Sequence, residues 1–213
     1  AAAAMHLMRD GGSVAFSTAR LLASRLLTET RRSEAQIRLQ QFSTPLPYAA
    51  LVARAAAIRS GETFLEPSAG TGALAGFAVL AGGKPMLNEI DPFRRALLEV
   101  VFQTEVTGFD AEHIDDLLNT PCLPGVVVMN PPFASSAKHL IAAAKRLVPG
   151  GRLVAIMPMG FTPERDAAHW GRVCAIAKPR LALTIPGHVY RKLGTTVETQ
   201  LMVFDKVQDD VAI

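Results

Sequence analysis

Asn130-Pro131-Pro132-Phe133 is the stretch of this 213-residue chain best equipped for chemistry. It follows Val126-Val127-Val128-Met129, an apolar run that reads as a fully buried parallel strand. Pro131 and Pro132 fix φ and carry no N–H, so the strand must stop at Asn130, and the carbonyls beyond it stay available as acceptors. The side-chain carbonyl of Asn130 and the backbone carbonyl of Pro131 can both accept from one amino group. Such a pair holds the two protons of an exocyclic NH2 on a planar base and turns the nitrogen lone pair toward an electrophile. Phe133 offers a face on which that base can stack. Taken alone, the same residues also make an ordinary strand-to-loop turn, because Asn-Pro and Pro-Pro are common turn signals.

Chemistry of that kind needs a sheet edge and a second ligand beside it. Open α/β sheets bind ligands at the carboxyl ends of their strands. Glu62–Glu66 reads as a strand running into Pro67-Ser68-Ala69-Gly70-Thr71-Gly72, with a helix over Ala73–Leu80. Strand, glycine-rich turn and helix form the first unit of a nucleotide-binding fold. The turn matches neither GxxxxGK[ST] nor GxGxxG and has no lysine for a phosphate, which excludes an ATP-binding P-loop. A ligand with an amino-acid moiety suits it better, with Glu66 accepting from the ammonium group. The second strand, Lys84–Ile90, ends at Glu89, about 20 residues beyond the turn, where an acidic side chain meets ribose hydroxyls. Asp91 reads as an N-cap with Pro92 at the first helical position, ahead of a helix over Phe93–Val101. Glu105–Phe109 is a candidate third strand. Asp110-Ala111 at its end can meet an adenine amino group, with Asp115 and Asp116 as competitors. Upstream, Thr44-Pro45 reads as an N-cap and N1 proline for a helix over Ala49–Arg59 that Gly61 terminates; a helix N-terminus also suits a carboxylate.

The remaining segments complete an α/β alternation. Ser13–Thr30 reads as a helix in an arm made basic by Arg9, Arg20, Arg25, Arg31, Arg32 and Arg38, which is either a solvated face or a phosphate-contacting one. A helix over Ser135–Leu147 ends at Pro149-Gly150-Gly151. A fifth strand spans Leu153–Met157, a helix lies within Phe161–Lys178, and Leu181–Tyr190 leads through Arg191–Thr196 to a final strand, Glu198–Lys206. Residues 1–40 form an N-terminal helical arm and 41–213 the main domain; Ala1–Ala4, ahead of Met5, read as an appended remnant. With 49% apolar residues the chain can bury a large core. A net charge of +3 permits nucleic-acid binding without requiring it. Cys122 and Cys174 lack metal or redox spacing, and no apolar run is long enough to span a bilayer, which points to a cytoplasmic protein with no membrane partner.

In order and spacing these segments resemble the class I S-adenosylmethionine-dependent methyltransferases, in particular the adenine-N6 DNA group, over roughly residues 40–206. Glu66–Gly72 (EPSAGTG) resembles that family's cofactor loop, Asn88–Asp91 (NEID) its ribose segment, and Asn130–Phe133 (NPPF) its catalytic signature. Phe42–Pro45 (FSTP) resembles its N-terminal cofactor motif, placed as in the gamma motif order, and Leu193–Lys206 is similar to its last motif. The resemblance implies an α/β, Rossmann-like fold with a mostly parallel seven-stranded sheet flanked by helices and an N-terminal helical extension. It implies that Thr44, Pro45, Glu66 and the Pro67, Ser68, Ala69, Gly70, Thr71 and Gly72 backbone hold the methionine part of S-adenosylmethionine. Glu89 with Ile90 would hold the ribose, and Asp110 with Ala111 the adenine. Asn130, also beside the cofactor, and the Pro131 carbonyl would bind the target amino group, Pro132 stiffening the turn, with Phe133 and Tyr190 as stacking walls. The transfer would need no metal, and a duplex target would have to be flipped out.

Members of this order usually carry a target-recognition region after the last motif, whereas this sequence stops soon after Lys206. Recognition of single- or double-stranded DNA is therefore expected to be of low specificity, or to come from a separate specificity subunit or another part of a longer protein. The chain is also similar to the methylase domain of plasmid and phage methylase–helicase fusions of the strawberry-notch-like type, which implies a bacterial host, a helicase domain as partner and a restriction or anti-restriction role. Two other readings compete: a methyltransferase of RNA bases or of a protein glutamine, which uses the same signature, and a non-catalytic module, against which the intact Asn130–Phe133 argues. The basic residues Arg165, Arg172, Lys178, Arg180, Arg191 and Lys192 favour a nucleic acid over a small protein loop.

Overall fold

The computed structural model describes residues 12–26, 43–193 and 195–208. An N-terminal helix, α1 (Gly12–Arg25), is followed by α2 (Leu46–Ala56), β1 (Thr63–Glu66), α3 (Ala73–Leu80), β2 (Lys84–Asn88), α4 (Pro92–Phe102), β3 (Val106–Thr107), α5 (Ile114–Leu117) and β4 (Val126–Met129). Then come α6 (Ser136–Arg146), β5 (Arg152–Pro158), α7 (Ala167–Ile176), β6 (Ala177–Ile185), a 3₁₀ segment at Gly187–Leu193 and β7 (Thr199–Lys206). The strands form one seven-stranded sheet in the order β3-β2-β1-β4-β5-β7-β6. Pairings from β3 through β5 are parallel, while β7 runs antiparallel to both β5 and β6. The expected Rossmann-like sheet with flanking helices is what the chain adopts.

The central strand explains the architecture. All residues of β4 are buried, because β1 and β5 pair with its edges and helices cover both its faces. Val126 and Val128 face one core with α2 and α3; Val127 and Met129 face the other with α6. This two-sided burial is why the strand is a continuous apolar run rather than an alternating one.

Several boundaries differ from the sequence reading, each for a local reason. Pro45, not Thr44, sits at the N-cap of α2, and its carbonyl accepts from Tyr48 and Ala49. The helix starts at Leu46 and stops at Ala56, where Ala57 takes a left-handed conformation at φ 50°, so Gly61 belongs to the following turn. β3 is only two residues long because the Phe109 N–H bonds to the side chain of Asn88 instead of a strand. β6 was not legible as a strand: seven of its residues are exposed. It is the sheet edge, where Pro179 is tolerated and no hydrophobic alternation is needed.

The described part of the N-terminal arm packs on the domain. Ala19 is buried, the Phe16 and Tyr48 rings meet edge to face at 6.5 Å, and Lys192 Nζ donates to the Ala23 and Ser24 carbonyls at the end of α1. Thr28–Thr30, Arg9, Arg31, Arg32, Arg38 and the boundary near residue 40 lie outside the described residues. Among the described residues no helix is long and apolar enough to cross a membrane.

Candidate active site

The carboxyl ends of β1, β2 and β4 carry the predicted residues. After β1 the chain turns through Pro67–Gly72 into α3, with Gly70 at φ 56° and Gly72 at φ 77°. A Cβ on Gly72 would fall 2.7 Å from the Phe102 ring and 2.8 Å from Leu98, so glycine is required for the turn to rest on α4.

Glu89 closes this turn from the end of β2. Its Oε2 accepts from the Gly70 N–H at 2.6 Å and its Oε1 from the Asp91 N–H at 2.9 Å. Burial raises its carboxyl above the usual range, opposed by those two N–H donors and by the Arg94 guanidinium. Asp91 caps α4 as expected, accepting from Phe93 and Arg94 N–H groups. Asp110 accepts from the Glu112 N–H and so caps the short turn after β3.

Glu66, at the end of β1, is 2% exposed. Burial pushes its carboxyl well above the usual range; the Ala75 N–H counteracts this and the Glu89 charge adds to it. Its Oε2 has no hydrogen-bond partner among the described residues. A buried carboxyl with a bare oxygen beside a glycine-rich turn fits a cationic ligand group.

Asn130 is oriented from far away in sequence: its Nδ2 donates to the Thr44 hydroxyl at 3.0 Å. Thr44 therefore spends its side chain on Asn130 rather than on capping α2, and both flank the same space. That space has two parts. A cavity of about 330 Å³ is lined by Pro67, Ser68, Gly70, Glu89, Ile90, Asp110, Ala111, Asn130 and Pro132, among others. A smaller one of about 30 Å³ is lined by Thr44, Glu66, Ser68, Ala69, Gly70, Thr71 and Asn130. Ser68, Gly70, Arg94 and Asn130 line both. Phe133 lies on the far side of the turn, in a third cavity of about 170 Å³ with Phe161 and His169; Ala134 and Ser135 are shared with the first. The Asn-Pro-Pro-Phe turn thus puts its amide on the first two cavities and its ring on the third.

Not every predicted residue joins this assembly. Pro45, Gly72 and Pro131 shape backbone without lining a cavity. Tyr190, expected as a stacking wall, is 2% exposed, packs in the core and shares a hydrogen bond with Thr199 at 3.0 Å. Its ring gains more from burial than a surface wall would offer, since the Gly187–Leu193 segment turns it inward. The basic cluster also divides: Arg180 pairs with Asp205 on the far sheet edge, while Lys192 donates to the end of α1.

Three participants escaped the sequence reading. Asn88, 1% exposed, donates to the Pro67 and Phe109 carbonyls and accepts from the Thr107 hydroxyl and the Phe109 N–H. Its signals were a place in the Asn88–Asp91 segment and a polar residue at the end of an apolar strand, and neither gave it a role. Arg94 lines both of the first two cavities from the first turn of α4. His139 lines the large cavity from the buried face of α6.

No family model matches the sequence, and no curated protein matches it. Solved structures do. A proposed RNA methyltransferase from Pyrococcus horikoshii superposes with a TM-score of 0.68 at 20% identity, covering 92% of this chain and 98% of that one. The chain has the fold of the class I methyltransferases. The M protein of type I restriction enzyme EcoKI shares the fold with a TM-score of 0.64 at 15% identity, over 78% of this chain and 44% of that one. NodS, an N-methyltransferase from Bradyrhizobium japonicum in complex with S-adenosylhomocysteine, gives a TM-score of 0.58 at 12% identity, over 90% and 97% of the two chains. The antiparallel β7 lies between β5 and β6 as the sixth strand of the sheet, and the first two cavities are lined from the turns that follow β1, β2, β3 and β4.

Proposed function

We propose that this chain transfers a methyl group from S-adenosylmethionine to an amino nitrogen of a nucleic-acid base, with the N6 of adenine in DNA as the acceptor. The observation that carries the reading is Asn130, held by Thr44 and lining both neighbouring cavities. The residues around the small cavity, whose own space holds about one water, suit the amino-acid part of the cofactor, with Glu66 for the ammonium group and Arg94 for the carboxylate. The large one suits the adenosine, with Glu89 and Ile90 at the ribose and Asp110 and Ala111 at the base. When bound, the cofactor supplies an electrophilic methyl group on a sulfonium.

The chain's own contribution is positioning and electrostatics. Asn130 accepts from the target amino group, and the Pro131 carbonyl, which lines none of the cavities of the ligand-free protein, would be the second acceptor once the base is seated; together they fix its protons and stabilise the positive charge that develops on nitrogen. Phe133 stacks on the base from the third cavity, and Pro132 keeps amide and ring at a fixed separation. Lys192 meets the end of α1, a helix that exposes Arg20 and Arg25, and Arg191 is exposed next to it in sequence; such basic residues suit a phosphate backbone. Sequence specificity would come from a partner, such as a separate subunit or a fused helicase, in a bacterial, plasmid or phage setting.

The test is transfer of labelled methyl groups to duplex DNA, single-stranded DNA, ribosomal RNA and protein, with identification of the product. N6-methyladenine in DNA is the expected outcome. Label confined to RNA or to glutamine would replace the acceptor in this proposal, and cofactor binding without label on any acceptor would leave a binding module.

A further inference from the structure

Helix α4 is apolar on the side that faces solvent. Its one buried residue is Leu98, which with Phe102 supports the Gly72 turn. The outward face carries Phe93 at 81% exposure, Leu97 at 50%, Val100 at 75% and Val101 at 54%. A surface helix ordinarily turns charged and polar residues that way. Single apolar residues on a surface need no explanation, but a contiguous stripe of them on one short helix marks an interaction site.

Spacing and charge say what fits the stripe. Phe93, Leu97 and Val100 follow one another by four residues and then three, the spacing of a seam against a second helix. Arg95 and Glu99 stand one turn apart on the flank toward β3. A Cβ on Gly108 would strike the Arg95 guanidinium, and Glu99 Oε1 accepts from the Val106 N–H at 3.4 Å. When two copies of one helix pair antiparallel, each flank meets the same flank of the other copy. With the two-fold axis at Leu97, Arg95 of each copy falls opposite Glu99 of the other, and Phe93 opposite Val101. Parallel pairing would set Arg95 against Arg95 and Glu99 against Glu99. The face is thus self-complementary in one orientation.

We infer that α4 is a homodimerisation face, on which a second copy of this chain docks antiparallel about Leu97. The inference does not depend on the methyl-transfer reading. A helix of 11 residues is about 16 Å long, so the seam alone falls short of the ~800 Å² per partner of a standard interface. Association is therefore expected in the micromolar range and to depend on concentration.

The test is sedimentation equilibrium of the full chain over a range of concentrations, with thermal melts of every variant. The unaltered chain should be monomeric when dilute and dimeric when concentrated. Leu97→Glu, at a half-exposed position, should weaken association by about tenfold or more and leave the melting temperature of the dilute protein unchanged. Arg95→Glu and Glu99→Arg should each weaken association, and the double exchange should restore it. A chain that stays monomeric throughout would overturn the inference, and a monomer destabilised by Leu97→Glu would assign the face to another segment of its own chain. A dimer untouched by Leu97→Glu would place the contact elsewhere, and a dimer that the double exchange leaves broken would remove the antiparallel pairing; either result also overturns it.

Discussion

The side-chain amide of Asn130 donates to the hydroxyl of Thr44 at 3.0 Å, across 86 residues of sequence. One residue ends the central strand and the other precedes α2, so the orientation of the amide depends on the N-terminal segment being docked. Thr44→Val keeps the shape and removes the acceptor; methyl transfer should fall about tenfold, the net worth of one hydrogen bond. Asn130→Ala should cost on the order of 10²–10³-fold in transfer, as loss of a preorganised polar group does, while S-adenosylhomocysteine still binds. Single-turnover transfer beside calorimetry reads both, and full activity in Asn130→Ala would remove the residue from the chemistry.

Glu66 gives a pH-dependent prediction. Its carboxyl titrates well above the ordinary value because it is buried, so the folded state holds the proton more tightly than the unfolded chain. Stability therefore falls as pH rises from the unfolded value, about 4.3, through the raised folded value, and above that the whole penalty applies. Glu66→Gln removes the penalty. The ligand-free variant should be more stable than the parent at pH 7, and the two should converge near pH 4. Its affinity for S-adenosylhomocysteine should drop, because the cationic ammonium loses its counter-charge. Denaturant melts across pH, paired with binding at pH 7, check this; a destabilised variant at pH 7 would contradict it.

Gly72→Ala should destabilise by about 2 kcal/mol or more. The backbone sits at φ 77°, and the new Cβ would meet Phe102 and Leu98 at 2.7 and 2.8 Å. The shift should appear in the denaturant midpoint with an unchanged slope.

Asn88→Asp retains an acceptor but loses both donations, to the Pro67 and Phe109 carbonyls. A loss of roughly 2–4 kcal/mol is expected for two buried carbonyls left unpaired beside a new charge. Cofactor affinity should fall with it, because the same two carbonyls belong to the turns that build the large cavity. Unchanged affinity in a folded variant would show that the turns hold their shape without this clamp.

How legible the molecule was depended on how local the cause was. β4 announced itself because burial on both faces forces an uninterrupted apolar run, and α3 matched its predicted bounds because the glycine-rich turn fixes its start. The Asp91–Pro92 cap is a purely local device and was readable. Asn88 was not, since its worth lies in partners from two separate places, the turn after β1 and the end of β3. His139 was hidden because a histidine on an apolar helix face looks like filler until a cavity opens beside it. Tyr190 failed the other way: an aromatic near a basic loop suggests a stacking wall, yet the 3₁₀ segment carries it into the core. β6 showed no pattern because an exposed edge strand obeys none.

The order of strands also sets a gradient of persistence. β6 has one neighbour and seven exposed residues, so its outward amides should exchange with solvent quickly, through openings far smaller than global unfolding. β4 has parallel neighbours on both sides and no exposed residue, so its amides should exchange only when the whole molecule opens. The reactive turn hangs from that slowest strand. Breathing at the rim can therefore proceed while the amide of Asn130 stays aimed.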